Sequence, residues 1–222
     1  MINIAIDGPS GAGKSSLAKY VAKELSLVHV DTGALYRAVG LYIVRNNVDP
    51  SDCSKVVPLL DSLNVDVEYD AEKNQHVFVN GEEVNDQLRT NEVGMAASVS
   101  SAIPEVRSFL LDLQRNIAEK EDIIMDGRDV GTVILPNATI KFFLSASPEK
   151  RAARRLLDYE KNGIDISYEK VLADIIQRDK NDSTRAVSPL KQADDAIPVD
   201  NSEMTEAETL EYILNIIRGK LS

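Results

Sequence analysis

Eight consecutive residues, Gly8-Pro9-Ser10-Gly11-Ala12-Gly13-Lys14-Ser15, combine glycines, a lysine and a hydroxyl at the spacing G-x-x-x-x-G-K-S. Glycines let the backbone curl until several N–H groups point at one centre, which suits the oxygens of a phosphate. The helix expected to begin near Gly13 adds unpaired N–H donors and the positive end of its dipole. Lys14 supplies a point charge for β- and γ-phosphates, and the Ser15 hydroxyl can ligate Mg²⁺. At average residue usage the fixed positions coincide by chance about once in a hundred chains of this length. The apolar run Ile2-Asn3-Ile4-Ala5-Ile6 before it and the helical spacing Leu17, Val21, Leu25 after it supply the strand–turn–helix context of a P-loop. A nucleoside triphosphate with Mg²⁺ is therefore the expected ligand.

Further residues suggest where its γ-phosphate goes. Asp126 ends the apolar run Ile123-Ile124-Met125 and is a candidate for the second acid that orients Mg²⁺ or its waters. Arg178, Asp182 and Arg185 share one face if their helix continues. As a surface ladder they would contribute a few tenths of a kcal/mol, and Arg before Asp is the poorer order. Two arginines flanking an acid better suit gripping phosphate while the acid takes ribose hydroxyls. Arg151, Arg154 and Arg155 cannot all face one ligand; one or two are expected to reach a transferring phosphoryl group. Gly163 marks a hinge for a lid. Arg128 and Asp129 follow Gly127 at the end of a strand. An aspartate can accept from the N4 amine of cytosine, whereas uracil presents an acceptor there.

These residues need a scaffold, and 222 residues with 43% hydrophobic and 27% charged content suffice for one. Strands alternate with helices: Val28–Val30, Ile123–Asp126, Ile140–Leu144 and, at an edge, Ala196–Asp200. Asp31-Thr32-Gly33 reads as a loop, followed by a helix from about Ala34 that places Tyr36 and Arg37 in its first turn. Asp49-Pro50-Ser51 starts another helix, with Cys53 half-buried in it. Val65–Tyr69 and His76–Val79 alternate with period two, and Asn80-Gly81, a hairpin signal, separates the second from Glu82–Val84. They form an antiparallel meander, in which His76 is an exposed strand residue. Asn91–Ser101, Pro104–Ile117, a segment capped by Ser147-Pro148 and ended by Asn162-Gly163, Tyr168 to about Arg178, and Thr205–Arg218 read as helices. The fold class is α/β: a P-loop NTPase with a parallel doubly wound sheet, helices on both faces and a small antiparallel insert. We expect a single domain over 1–222, with an insert near 63–103 and an arginine-rich lid near 151–185.

The formal net charge of −11 disfavours a nucleic-acid or anionic-membrane surface, while the arginines concentrate positive charge locally. Cys53 is the only cysteine, so no intrachain disulfide or cysteine metal site is expected. With no leader and no long apolar run, the chain reads as cytoplasmic.

GPSGAGKSS, DTGALYR, the IPEVR stretch, MDGRDVGTV, RDKNDSTRAVSPLK and ADDAIPVD together resemble bacterial cytidylate kinase, a P-loop nucleoside monophosphate kinase family, in order along the whole chain. The resemblance implies that Gly8 to Ser16 hold ATP. It implies that Thr32, Tyr36 and Arg37 serve the monophosphate side; serine is frequent at the Thr32 position, and both provide a hydroxyl. Ser98, Arg107 and Asp129 correspond to cytosine readers, Arg128 lies near the acceptor phosphate, and Arg178, Asp182 and Arg185 correspond to a ribose and phosphate clamp. Lys14, Arg128, Arg178 and Arg185 would be catalytic, and Ser15 with Asp126 would hold Mg²⁺. The implied reaction is transfer of the γ-phosphoryl of ATP to CMP or dCMP by a monomer, a step of pyrimidine nucleotide metabolism. Kinases for another small acceptor, such as another nucleotide or a shikimate-like acid, are a rival. So is a GTP-hydrolysing switch, although no guanine-reading N-K-x-D tetrapeptide occurs.

Overall fold

The computed structural model describes residues 1–161 and 163–221. In chain order the elements are β1 (Asn3–Asp7), α1 (Lys14–Leu25), β2 (Val28–Asp31), α2 (Thr32–Arg45) and α3 (Cys53–Leu60). There follow β3 (Val65–Tyr69), β4 (Gln75–Val79), β5 (Glu82–Glu83), α4 (Asn91–Ser100), α5 (Pro104–Ala118) and β6 (Ile123–Gly127). The chain closes with β7 (Ile140–Ser145), α6 (Pro148–Lys161), α7 (Tyr168–Thr184), β8 (Ile197–Asp200) and α8 (Glu206–Leu221). The larger sheet has strand order β2-β6-β1-β7-β8, with β1–β7 and β7–β8 parallel. Its inner strands β1 and β6 are nearly continuous buried runs, as burial on both faces requires. The smaller sheet is the antiparallel β3-β4-β5. The α/β class and the meander are as expected. Pro198 is tolerated because β8 lies at the sheet edge.

The chain divides into two compact units, one of Met1 and Leu27–Ile123, the other of Ile2–Ser26 and Ile124 onwards. In the first unit, α2 buries Leu35, Ala38, Val39 and Ile43 against the meander and the helices α4 and α5. Asp31 caps α2, its carboxylate accepting from the Ala34 N–H at 3.0 Å. That cap starts the helix at Thr32 rather than Ala34, so no loop intervenes and Tyr36 and Arg37 fall in the second turn. The cap of α3 is likewise Asp52, and Cys53 at its first turn is exposed, not half-buried. Asn80 and Gly81 take φ of 50° and 84°, the left-handed pair of a tight hairpin. His76 lies on the meander surface within 2.7 Å of Glu83 and 3.4 Å of Asp70, and hydrogen bonds to Glu83 and then Asp70 raise its pKa above the ordinary 6.5.

In the second unit, Ile4, Ile6, Phe142, Leu144, Ile213 and Ile217 form fully buried packing around β1 and β7. Burial of each such side chain contributes about 1.5–3 kcal/mol. Ser147 caps α6 through the Lys150 N–H, and α6 ends at Lys161; the expected stop at Asn162-Gly163 falls partly on Asn162, outside the described residues. The helix α7 runs to Thr184, further than the expected end near Arg178, and Arg185 turns extended at ψ 143°. Ala152, Val171 and Ile175 pack α6 on α7.

Within the first unit, α2 and α4 approach through Gly40, where an added Cβ would stand 2.7 Å from the Ala97 nitrogen and 2.9 Å from the Val93 carbonyl oxygen. Both neighbours are backbone, so neither can give way cheaply. Gly40→Ala should cost about 1–3 kcal/mol of stability, read as a lower midpoint in chemical denaturation, despite alanine's better helix propensity. An unchanged or higher midpoint would contradict this close packing.

Candidate functional site

In the turn between β1 and α1 four carbonyls are engaged by donors of the chain itself. Gly11 and Gly13 take φ of 78° and 88°, and Gly13 stands at the N-terminus of α1 with no side-chain cap. Lys14 Nζ donates to the Pro9 carbonyl at 2.8 Å, Arg151 Nη1 to Ser10 at 2.9 Å, and Asn201 Nδ2 to Ala12 at 3.0 Å. The Gly13 carbonyl accepts from the Leu17 N–H. Gly8 fits because a Cβ there would lie 1.9 Å from the Leu144 carbonyl oxygen. Carbonyls engaged on one side and an uncapped helix start on the other make an anion-binding concavity.

Lys14 is buried, and burial first, then the Arg128 guanidinium, lowers its pKa well below the usual lysine value against Asp126, Asp7 and Asp182. Beside it the Ser15 hydroxyl donates to Asp126 Oδ2 at 2.7 Å. A hydroxyl and a carboxylate meeting at this distance are hard oxygen donors of the kind Mg²⁺ takes. Among the described residues no group of three or more His, Cys, Asp or Glu side chains could hold a metal by itself.

Downstream of β6, Arg128 and Asp129 form reciprocal pairs with α7 and its end. Arg128 Nε donates to Asp182 Oδ2 at 2.8 Å, and Arg185 Nη2 to Asp129 Oδ1 at 3.5 Å. Burial pushes the Asp182 carboxyl up, but Arg128, with Arg178 and Arg185 beyond it, outweighs this and holds it below its ordinary value. Arg185 also donates to the Ser188 carbonyl at 2.6 Å. The structure thus brings Arg128, Asp129, Asp182 and Arg185 together, Arg185 from the C-cap of α7, where φ is still −62° and the chain turns away only beyond it.

The three arginines of α6 do other work. Arg151 is 2% exposed, donates to the Ala146 and Ser10 carbonyls, and makes a two-pronged contact with Asp179. Arg154 donates to Asn201 Oδ1 and to its carbonyl, and Arg155 lies over the Tyr159 ring at 5.5 Å. In the first unit, Arg107 is buried, sits over the Tyr36 ring at 5.4 Å and donates to the Ser101 carbonyl at 3.2 Å. The Ser98 carbonyl accepts from Ser101 Oγ. Thr32 is buried, and Arg37 stands 3.6 Å from Asp31.

Sequence reasoning missed Asp7, Asp179 and Asn201. Asp7 is 4% exposed at the end of β1, and its oxygens accept from the Val130 and Gly131 N–H groups at 2.8 and 2.7 Å. It anchors the π-helical turn Val130–Ile134 that follows Arg128 and Asp129. An acid closing an apolar strand was its only signal.

A strand, a glycine nest with an invading lysine and a helix N-terminus, set on a parallel sheet, define a P-loop nucleotide-binding protein. The chain belongs to the cytidylate kinase family, whose model, described as Cytidylate kinase, matches residues 4–219. It is therefore an enzyme of the phosphotransferase class. It is 46% identical over 97% of its length to 95% of the cytidylate kinase of Caldicellulosiruptor bescii. It is 45% identical over 98% of its length to 96% of that of Fervidobacterium nodosum. A crystal structure of an uncharacterized protein from Eubacterium ventriosum shares the fold, with a TM-score of 0.53 and 15% identity over 98% of this chain and 99% of that one. Among the described residues no helix is long and apolar enough to cross a membrane.

Burial raises the Asp7 carboxyl from 3.8 to about 6, outweighing the two N–H bonds that lower it, with Asp129 raising and Lys14 lowering it further. A raised carboxyl contributes stability at low pH and loses it as pH climbs through the folded value. Asp7→Asn cannot ionise, so the stability of this variant relative to the unsubstituted protein should rise from about pH 4 to about pH 7, by on the order of 3 kcal/mol. Denaturant titrations across that range measure it; a constant difference would contradict the assignment.

Proposed function

We propose that the protein transfers the γ-phosphoryl group of Mg²⁺-bound ATP to the 5′-phosphate of CMP and dCMP in the cytoplasm, giving ADP and CDP or dCDP. The observation that carries this reading is the turn from Gly8 to Ser16, whose carbonyls are engaged elsewhere and whose helix start lacks a cap. The relatives' printed name, cytidylate kinase, supports CMP as the acceptor.

Each residue then has a chemical task. Gly8, Ser10, Gly11, Ala12, Gly13 and Ser16 bind the donor phosphates through backbone N–H groups, Pro9, which has no N–H, shapes the turn and accepts from Lys14 through its carbonyl, and Lys14 adds its charge. Ser15 and Asp126 would hold Mg²⁺, which would supply charge neutralisation to the donor phosphates. A cavity of about 180 Å³ beside the turn, lined by Gly13, Ser16, Tyr20, Arg154 and Asn201, suits part of the donor nucleoside. The acceptor is a phosphate with a second pKa near ~6, so it is ionised at neutral pH and no strong general base is required. Catalysis consists of positioning and charge neutralisation by Lys14, Arg128, Arg178 and Arg185. Thr32, Tyr36 and Arg37 receive the acceptor phosphate, and Asp182 takes ribose hydroxyls. Ser98, Arg107 and Asp129 read cytosine, with Asp129 accepting from N4 and rejecting uracil's carbonyl. The 151–185 segment closes to keep water from the transferring group.

An ADP-release assay with CMP, dCMP, UMP, AMP and shikimate tests the reading. CMP and dCMP should stimulate release, with UMP weaker and shikimate inert. Arg185→Ala should lower kcat/KM for CMP by roughly 10²- to 10³-fold with little change in melting temperature. No stimulation by either cytidine nucleotide would overturn the proposal, and full activity in Arg185→Ala would remove the clamp.

A further inference from the structure

We infer that Gln75, the first residue of β4, is a positioning residue for the acceptor phosphate, and that this is a task of the antiparallel insert. The inference rests on the reading of CMP as acceptor given above. Every group it uses lies in the first unit.

The strand β2 is at the edge of the larger sheet, where backbone groups need partners from outside it. At Asp31 one side chain supplies both. Gln75 Oε1 accepts from the Asp31 N–H at 2.8 Å, and Gln75 Nε2 donates to the Asp31 carbonyl at 3.4 Å. Asp31 is the residue at which β2 passes into α2 without a loop. Its own carboxylate caps α2 through the Ala34 N–H and stands 3.6 Å from the Arg37 guanidinium. Gly33 makes that arrangement possible: a Cβ there would lie 3.0 Å from Asp31 Oδ1 and 3.4 Å from Arg37 Nη2. Carboxylate, glycine and guanidinium are thus one packed group, and moving the Asp31 backbone moves Arg37.

Behind Gln75 the same device is used again. Asn85 Oδ1 accepts from the Val77 N–H at 2.9 Å, and Asn85 Nδ2 donates to the Gln75 carbonyl at 3.0 Å. The strand from which Gln75 reaches is therefore itself held on both sides of His76. The relay Asn85, Gln75, Asp31, Arg37 runs from the meander to a fork-shaped cation suited to a phosphate. A glutamine that merely stitched the sheets together would affect stability alone. A relay ending on Arg37 affects the acceptor, because misplacing a positioning group costs binding and rate without unfolding the protein.

Gln75→Met keeps the side chain's length and removes both hydrogen bonds. It should raise KM for CMP about tenfold, leave KM for ATP within about twofold, and speed hydrogen exchange of the Asp31 amide. Val79→Ala, in the same strand and 2% exposed, is the stability control: it should lower the melting temperature and leave KM for CMP within about twofold. An unchanged Asp31 exchange rate, an unchanged KM for CMP in Gln75→Met, or an equal rise in Val79→Ala would overturn the inference while the CMP reading stood. Failure of the unsubstituted protein to phosphorylate CMP would sink that reading instead, and faster Asp31 exchange in Gln75→Met would still support the contact.

Discussion

Four carbonyls of the five-residue stretch Pro9 to Gly13, those of Pro9, Ser10, Ala12 and Gly13, are each taken by a donor: Lys14, Arg151, Asn201 and the Leu17 N–H. A turn with its carbonyls committed in this way presents its N–H groups to the opposite side. The left-handed glycines permit the shape, the Leu144 carbonyl presses on Gly8 so that only glycine fits, and side chains from distant parts of the chain lock it. The positive concavity is therefore present before any ligand arrives, and the reorganisation that a mobile loop would need is avoided. The rest of the second unit is arranged around that constraint.

Charges of both signs are then brought together around the turn. Lys14 is surrounded by Asp7, Asp126 and Asp182 as well as by Arg128. The pairs Arg128–Asp182 and Asp129–Arg185 join the residues after β6 to the end of α7. In a chain of net charge −11, lysine and arginine are thus gathered with acids beside the turn.

Local signals made much of this legible. Strand, glycine turn and helix, the Asn80-Gly81 hairpin, the Ser147-Pro148 cap and the edge position of Pro198 all follow from short-range chemistry, and all stand in the structure. What failed to show was whatever depends on a partner far along the chain. Arg151 reads as a ligand-facing cation until Asp179 and the Ser10 carbonyl are seen to occupy it. Asp7 reads as a strand-ending acid, because nothing local announces the N–H groups of Val130 and Gly131. Even Asp31, read as part of a loop, is a cap, a role that depends on the helix beginning at the very next residue.

The central claim is that the turn from Gly8 to Ser15 gathers a triphosphate and hands its terminal phosphoryl group to a second nucleotide. Phosphorus NMR of the protein with ATP, Mg²⁺ and CMP observes that hand-over directly. The account predicts that the CMP monoester resonance gives way to the two coupled resonances of CDP as ATP becomes ADP, with no growth of inorganic phosphate. A CMP resonance that persists while inorganic phosphate accumulates would contradict it.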